Sequence, residues 1–497
     1  MASKNKQSIV RRFLSNDKKH PVLVALAVGL YPLLFLYSNN YTLVNTWSHL
    51  FYFILIYLFI PVILFLTVHR LQKLLVFSKW KKYYIPFLNI FGFLFFMMIS
   101  YYAGFHKKVA LIIFLTALVS ARFLYMYLNK IIIIQYIFII IGIFSVVPRI
   151  FDHLNYSTEW EKQPDNIEEV IFTKKPNVYF IQPDGYVNFS ELKTGLYKYD
   201  NSSFENFVEE NKFKKYLNFR SNYYSTLTSN SSVFMMKHHY YNNMSNTKEF
   251  FNGRNKIISN NSVLEVFKKN NYKTHFLTEM PYLLINRPKM GYDICNFSYD
   301  EIPYIGRKGW GRKKNVAEPL AKYINIDANR PKFFFIEVFD PGHIQKENEN
   351  GVEGERIYWL EKLEESNKKL RELIEIIKRQ DANALIVVMS DHGGYVGMPD
   401  EQVYEKTIDK NKIYSLFSSI LMIHWPNEDA PKYDSMFKSN VNLFRILFSY
   451  LSENEKYLDS LQEDESYIII NEGAPKGIYQ YIDSDGNINF EKYNGTK

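Results

Sequence analysis

Acidic residues are missing from a long stretch of this chain: none occurs between Asp17 and Asp152. That excludes an ordinary soluble surface over those residues, since charged side chains of both signs normally cover one. Cysteine is almost absent as well. Cys295 is the sole example, so an intramolecular disulfide is impossible and a cysteine-based zinc site is excluded in practice. The formal net charge of +9 sits largely near the apolar stretches and gives no nucleic-acid footprint. At 497 residues the chain exceeds one ordinary core, and at least two domains are expected.

What fills the acid-free stretch is Leu, Ile, Phe, Val and Tyr. Five apolar runs, at about 21–38, 49–69, 83–104, 108–128 and 131–148, each approach the ~20 residues needed to cross ~30 Å of hydrocarbon. The last two are separated by "LNK" and predict a tight helical hairpin. No small-residue cleavage site follows the first run, and four more runs come after it, which argues against a cleaved signal peptide. Lys4, Lys6, Arg11, Arg12, Lys18 and Lys19 precede the first run, and Arg70, Lys73, Lys79, Lys81 and Lys82 lie between the second and third. The loop "SNNYTLVNTWSH" carries no cation. The positive-inside rule then places the N-terminus and second loop in the cytoplasm and everything after Arg149 outside, with Lys107 and Lys108 mildly opposed. Arg122 falls inside the fourth run, as either a functional charge or a snorkelling one.

After Asp152 the composition becomes that of a soluble protein. Residues 151–175 read as a polar juxtamembrane linker and 176–497 as a catalytic domain. "NVYFI" (177–181), "KTHFLTE" (273–279), "KFFFIEVF" (332–339), "ALIVVMS" (384–390) and "SSILMIHW" (418–425) read as strands. Residues 201–215, 261–270 and 356–380 have helical spacing. Strands alternating with helices, apolar on both faces, predict an α/β domain with a mostly parallel sheet. Ligands in such sheets bind beyond the carboxyl ends of strands. Three strands end alike, in Asp184-Gly185, in Asp340, Gly342 and His343, and in Asp391-His392-Gly393. A strand ending in Asp-Gly is by itself usually a turn. Three together offer an oxygen and nitrogen ligand set that suits a divalent cation.

The order of these elements resembles the alkaline phosphatase/sulfatase superfamily, and more closely its membrane-anchored branch of lipoteichoic acid synthases and phosphoethanolamine transferases. The segments that carry the resemblance are "NVYFIQPDGY", "SNYYSTLTSNSS", "SDHGG" and "NVNLFRILFSYL". The resemblance implies metal ligands at Asp184, Thr226, Asp391 and His392. It makes Thr226 the nucleophile at a helix start, with Thr228 and Ser225 as fallbacks, and gives His343 the contact to the transferred or leaving group. There are departures. Cys295 lies in "YDICNFS", far from the nucleophile position, which argues against the modified-cysteine chemistry of many sulfatases. Pro183 stands where a second acid is common. "DPGHIQ" loosely resembles a two-zinc motif, which would give Asp340 and His424 to a second metal or to substrate.

The expectation is a transferase of a phospho-headgroup, phosphoethanolamine or phosphoglycerol, from a membrane phospholipid donor to an envelope glycan or glycolipid acceptor. It would work through a covalent Thr226 intermediate and one divalent ion (zinc, manganese or magnesium), a second being the alternative. The protein would be a multi-pass protein of the cytoplasmic membrane with its catalytic domain outside. The alternatives are a membrane-tethered sulfatase-like hydrolase or phosphodiesterase, and a non-catalytic scaffold of polysaccharide assembly. Outside the resemblance, Thr226 reads as a helix cap, and His238 and His239 as surface or groove residues. "WGRKK" (310–314) reads as a plain basic loop or an anion contact.

Overall fold

The acid-free half folds into helices, as backbone groups in hydrocarbon must be satisfied within their own segment. The computed structural model describes residues 13, 20–74, 80–240, 249–306, 313–326, 329–343, 350–398, 407, 409–470 and 475–493. Two units result, one of Met1–Tyr156 with Ile285–Arg287 and Pro303–Trp310, the other of Ser157–Leu284, Pro288–Ile302 and Gly311–Lys497. The basic N-terminal residues Lys4 to Lys19, Lys79, and Trp310 to Arg312 of the basic loop lie outside the described residues.

In the first unit, four helical stretches are long and apolar enough to cross a membrane: Pro21–Val44 (α1), Trp47–Gln72 (α2), Lys81–Tyr102 (α3) and Lys107–Leu154. The fourth covers the last two of the five apolar runs. A 3-10 turn at Tyr125–Tyr127 divides it into Lys107–Leu124 (α4) and Leu128–Leu154 (α5). Ring contacts fix the directions. Tyr83 meets Tyr125 and Phe87 meets Phe114, so α4 runs antiparallel to α3. Asn89 and Gln135 exchange two amide hydrogen bonds (2.9 and 3.1 Å), while Phe93 lies against Phe138, so α5 runs parallel to α3.

The second unit holds a seven-stranded sheet of order β2-β7-β6-β1-β5-β3-β4. Its strands are β1 (Val178–Pro183), β2 (Phe213–Lys215), β3 (Lys273–Thr278), β4 (Ile294–Cys295), β5 (Lys332–Val338), β6 (Leu385–Met389) and β7 (Leu421–His424). β1 lies between β5 and β6 and pairs parallel with both. Side chains alternate faces along a strand. Tyr179, Ile181, Phe334, Ile336, Ile386 and Val388 therefore pack on one side, with Trp359, Leu363 and Leu370 of helix Gly351–Gln380. Phe180, Phe335, Leu385 and Val387 pack on the other, with Val233 and Phe234 of helix Thr226–Met235 and Phe444 of helix Leu443–Ser452.

Three readings change. The helical spacing over 201–215 ends early: the helix is Ser202–Glu210, and Phe213–Lys215 forms edge strand β2. β7 is antiparallel to β6. Residues read as linker instead pack into the second unit, where Trp160, Ile167, Val170 and Phe172 are buried. Asp165 there pairs with the fully buried Arg445 at 2.6 Å. A separate three-stranded antiparallel sheet, β8 (Ser466–Ile470), β9 (Gly477–Ile482) and β10 (Ile488–Lys492), adds to the expected elements.

Candidate active site

Because β1 sits between β5 and β6, the loops leaving their carboxyl ends are neighbours. The Asp184 amide donates to Val338 O at the end of β5, and the Gly342 amide donates back to Asp184 O, both at 2.8 Å. Gly185 is where the loops meet. It has φ +64°, and a Cβ there would fall 2.6 Å from Gly342 O and 3.3 Å from Gly393 O. Only glycine fits such an approach with a left-handed backbone.

This convergence brings Asp184, Asp391 and His392 together, with one ligand atom from each within 4.8 Å of the others. His392 Nε2 is 3.5 Å from Asp184 Oδ1 and 3.3 Å from Asp391 Oδ2. The other ring nitrogen, Nδ1, donates to Gly393 O at 2.8 Å, which leaves the Nε2 lone pair facing the carboxylates. A metal-bound imidazole is held in the same way. Asp391 is fully buried. Its Oδ1 accepts the Gly185 and His392 amides at 3.2 and 3.1 Å, whereas its Oδ2 accepts no hydrogen bond. A buried carboxylate oxygen without a donor is costly unless a cation compensates it. Two carboxylates, one of them with that unbonded oxygen, and an imidazole nitrogen fit a divalent ion.

Thr226 is the first residue of helix Thr226–Met235, after Ser225 in extended conformation. Its Oγ1 lies 3.4 Å from His392 Nε2. The fallback hydroxyls bond each other, Ser225 Oγ to Thr228 Oγ1 at 2.8 Å, and Thr228 Oγ1 also donates to Ser225 O at 2.9 Å. Thr226 is thus the hydroxyl of this turn that faces the cluster, and the cap position belongs to Ser225. His343 comes to the same place: its ring centroid is 5.5 Å from that of His392.

Two predicted residues stand apart. Asp340 is held by Lys369 and by Lys313 (3.1 Å), and Lys369 also binds Glu279 at 2.5 Å. Burial opposes ionisation of Asp340, yet the lysine hydrogen bonds and charges hold its carboxyl below its ordinary range. Its charge is already balanced, which removes it from a second metal. His424 pairs in register with Ile386, and its Nδ1 donates to Ala384 O (3.0 Å). Ile386 is five residues before Asp391, roughly 16 Å at the rise of a strand. His424 is therefore at the opposite edge of the sheet and cannot share a site with Asp340.

His238 and His239, read as surface or groove residues, are buried. His239 Nε2 bonds Thr228 O at 2.7 Å, and burial pushes its imidazole down to about 3. Cys295 is a free thiol on β4, pushed up to about 11 by burial.

Sequence reasoning missed several residues. Asn440 Nδ2 donates to Asp391 O (2.9 Å), Ser390 O (3.2 Å) and Ser229 Oγ (3.2 Å), and Ser229 Oγ itself donates to Asp391 O (2.6 Å). These two side chains pin the end of β6 to helix Thr226–Met235. Tyr395, with φ +65°, sets its ring tilted to His343 and edge-on to His392, with centroids at 5.2 and 5.3 Å. Glu337 is buried on β5; burial chiefly, and then the charges of Asp391 and Glu279, push it up to about 8 against the Thr278 hydrogen bond.

Solved structures resemble the chain at low sequence identity. The C-terminal periplasmic domain of EptC from Escherichia coli, solved with zinc, is 13% identical over 63% of this chain and 93% of that one, with a TM-score of 0.43. The lipoteichoic acid synthase LtaP from Listeria monocytogenes is 13% identical over 65% and 91%, with a TM-score of 0.41. A putative sulfatase, yidJ, from Bacteroides fragilis is 13% identical over 59% and 81%, with a TM-score of 0.38. No curated protein matches the chain significantly. The sulfatase family model matches residues 177–452, more than half of the chain and every residue gathered around His392, and on that match the chain belongs to the sulfatase family.

Proposed function

We propose that this protein is a metal-dependent transferase of the membrane that moves a phospho-headgroup, of the phosphoethanolamine or phosphoglycerol type, from a membrane lipid to an envelope glycan or glycolipid. One observation carries the reading. The Thr226 hydroxyl stands 3.4 Å from His392 in a three-ligand cluster, in a chain that also has helices long and apolar enough to cross a membrane. An active site fixed to a membrane suits a lipid donor better than a soluble one.

A divalent ion held by Asp184, Asp391 and His392 would polarise the phosphoryl oxygens and lower the pKa of the Thr226 hydroxyl. Thr226 Oγ1 then forms a bond to phosphorus as the bond from phosphorus to the lipid glyceride oxygen breaks. The Thr226 proton leaves to solvent, and His343 protonates the departing glyceride oxygen. The first amides of helix Thr226–Met235 have no partner within the helix and face the anion as charge gathers on it. The resulting phospho-Thr226 is attacked by an acceptor hydroxyl. The acceptor loses its proton to His343, the phosphorus bond to Thr226 breaks, and the threonine oxygen takes a proton back from solvent to restore the hydroxyl.

Five membrane crossings are supported by the chain reversal at Tyr125–Tyr127, where α4 runs antiparallel and α5 parallel to α3. Five crossings and the Lys/Arg asymmetry put the catalytic unit outside. A reporter active only outside the cytoplasm, fused after Lys497, should be active; an intact but silent fusion sinks this orientation.

The chemical test uses donor lipid labelled in its headgroup. Full-length protein without acceptor should carry label on Thr226, and acceptor glycolipid should discharge it. Thr226→Ala should accumulate normally, since it removes one part-buried hydroxyl with a long contact, costing about 1 kcal/mol or less. Its turnover should fall by several orders of magnitude. Discharge to water alone would make the protein a hydrolase, and full activity of Thr226→Ala would end the covalent reading.

A further inference from the structure

A groove of about 540 Å³ opens beside α3 and α4, within the range of ligand sites. Its wall is apolar, formed by Phe87, Phe114 and Leu118, and one end carries Trp80, Tyr83 and Arg122. The Arg122 guanidinium carbon lies 5.6 Å from the centroid of the Tyr83 ring, and Lys82 Nζ lies 5.1 Å from the same centroid. Lys82 also reaches the Tyr125 hydroxyl at 3.5 Å. Two cations thus flank one aromatic ring at the mouth of an apolar slot.

Cations at the end of a membrane helix call for an anion or for water. The sequence supplies no anion locally, because residues 18–151 include neither Asp nor Glu. Arg122 lines the groove, Lys82 lies at its rim against the Tyr83 and Tyr125 rings, and the surrounding helices bring no carboxylate to either. Trp and Tyr collect at the headgroup level of a bilayer, and Trp80, Tyr83, Tyr84 and Tyr125 ring this mouth. Basic pockets between membrane helices take anionic headgroups.

We propose that this groove binds one anionic phospholipid from the bilayer. Its phosphate would sit between Arg122 and Lys82 and an acyl chain would lie along Phe87, Phe114 and Leu118. The site is distinct from the catalytic cluster. Under the orientation proposed above it opens to the cytoplasmic leaflet, but binding itself does not depend on that orientation or on the transferase reading.

The test is native mass spectrometry of the full-length protein in detergent, titrated with phosphatidylglycerol or, separately, with phosphatidylcholine. One phosphatidylglycerol should be retained in preference to phosphatidylcholine. Replacing both cations, in Arg122→Gln with Lys82→Gln, should weaken retention roughly thirtyfold, from about 1 kcal/mol for each cation. Leu118→Trp keeps both cations and fills the slot; it should lose retention too, and so separates loss of the site from misfolding caused by the charge changes. Lys130→Gln, a cation over the Tyr127 ring and outside the groove, should retain the lipid as wild type does. Phosphatidylglycerol with brominated acyl chains should quench a tryptophan component that disappears in Trp80→Phe. The proposal is overturned by equal retention of phosphatidylcholine, by full retention in the double variant or in Leu118→Trp, or by an equal loss in Lys130→Gln.

Discussion

Replacing Asp391 by Asn should make the metal-free protein more stable, although it removes a residue from the centre of the site. The relevant oxygens of Asp184 and Asp391 lie within 4.8 Å of each other. At an effective dielectric of ~20, two unit charges at that separation repel by about 3 kcal/mol or more. The Asp391 side chain is fully buried, which limits screening. Asn keeps the Oδ1 that accepts the Gly185 and His392 amides. Its Nδ2 would replace an oxygen that accepts no hydrogen bond and would present a donor toward Asp184. Metal reverses the ranking. A ligand at a thousand times its Kd stabilises the native state by about 4 kcal/mol, and the Asp391→Asn variant forfeits most of that.

The assay is thermal unfolding of full-length protein in detergent, with a chelator and with excess zinc or manganese. For a domain of this size each kcal/mol moves the midpoint by about 2 °C or somewhat more. Chelation should therefore lower the wild-type midpoint by roughly 5–10 °C. In chelator, Asp391→Asn should melt above wild type by a similar margin, and it should respond little to metal. If the variant melts below wild type in chelator, the two carboxylates do not strain the metal-free site. If metal leaves the wild-type midpoint unchanged, the cluster does not hold a divalent ion.

Asn440→Ala should act on the site without touching substrate. It deletes three hydrogen bonds to Asp391 O, Ser390 O and Ser229 Oγ, costing about 1–3 kcal/mol of stability. Metal affinity, read as the concentration that restores the melting midpoint, should fall about 10–100-fold; unchanged affinity would make Asn440 merely structural. His239→Phe tests a pH effect. Burial pushes the His239 imidazole down to about 3, so below about pH 6.5 the unfolded chain takes a proton that the folded protein refuses. Stability then falls as pH drops from about 6.5 toward 3, by up to about 1.4 kcal/mol per pH unit from this group. Phe preserves the stack on Tyr223 and Phe250, so the variant should lose less stability than wild type between pH 7 and 5. An equal loss in both would remove His239 from the acid response.

The central strands are legible because a strand buried on both faces reads as an unbroken apolar run, and β1, β5 and β6 do. Direction is not legible in such a run. "SSILMIHW" would look the same in a parallel strand, yet β7 runs antiparallel to β6. That reversal moves His424 from the catalytic edge to the far edge, and a second-metal reading built on it fails with it. β2 is hidden for a related reason: its three residues, FKK, are too few to carry a pattern of their own, and their pairing with β7 is a long-range contact. In 151–175, the four buried apolar side chains are scattered among charges and exposed apolar ones such as Leu154 and Ile171, and Phe172 breaks the helical spacing that Trp160, Ile167 and Val170 share.

The site divides in the same way. Asp184, His343, Asp391 and His392 stand out in the sequence because chemistry at strand ends is local, and the order β6-β1-β5 makes those ends neighbours. Asn440 does not, since two of its three targets are backbone carbonyls, which leave no mark in the sequence, and the third, Ser229 Oγ, is 211 residues away. Asp340 shows where residue type stops being informative. Like Asp184 and Asp391, it follows an apolar strand in the central trio, and nothing local separates the three. The difference comes from Lys369 in the following helix and Lys313 from an earlier loop. Both bring positive charge to a carboxylate that burial would otherwise favour as neutral. Among the described residues no lysine pairs with Asp391; its unbonded oxygen lies 3.3 Å from the Nε2 of His392, whose other ring nitrogen donates to Gly393 O. Where a chain surrounds one carboxylate with ammonium groups and leaves its neighbour facing a lone pair, the second is the one that calls for a cation.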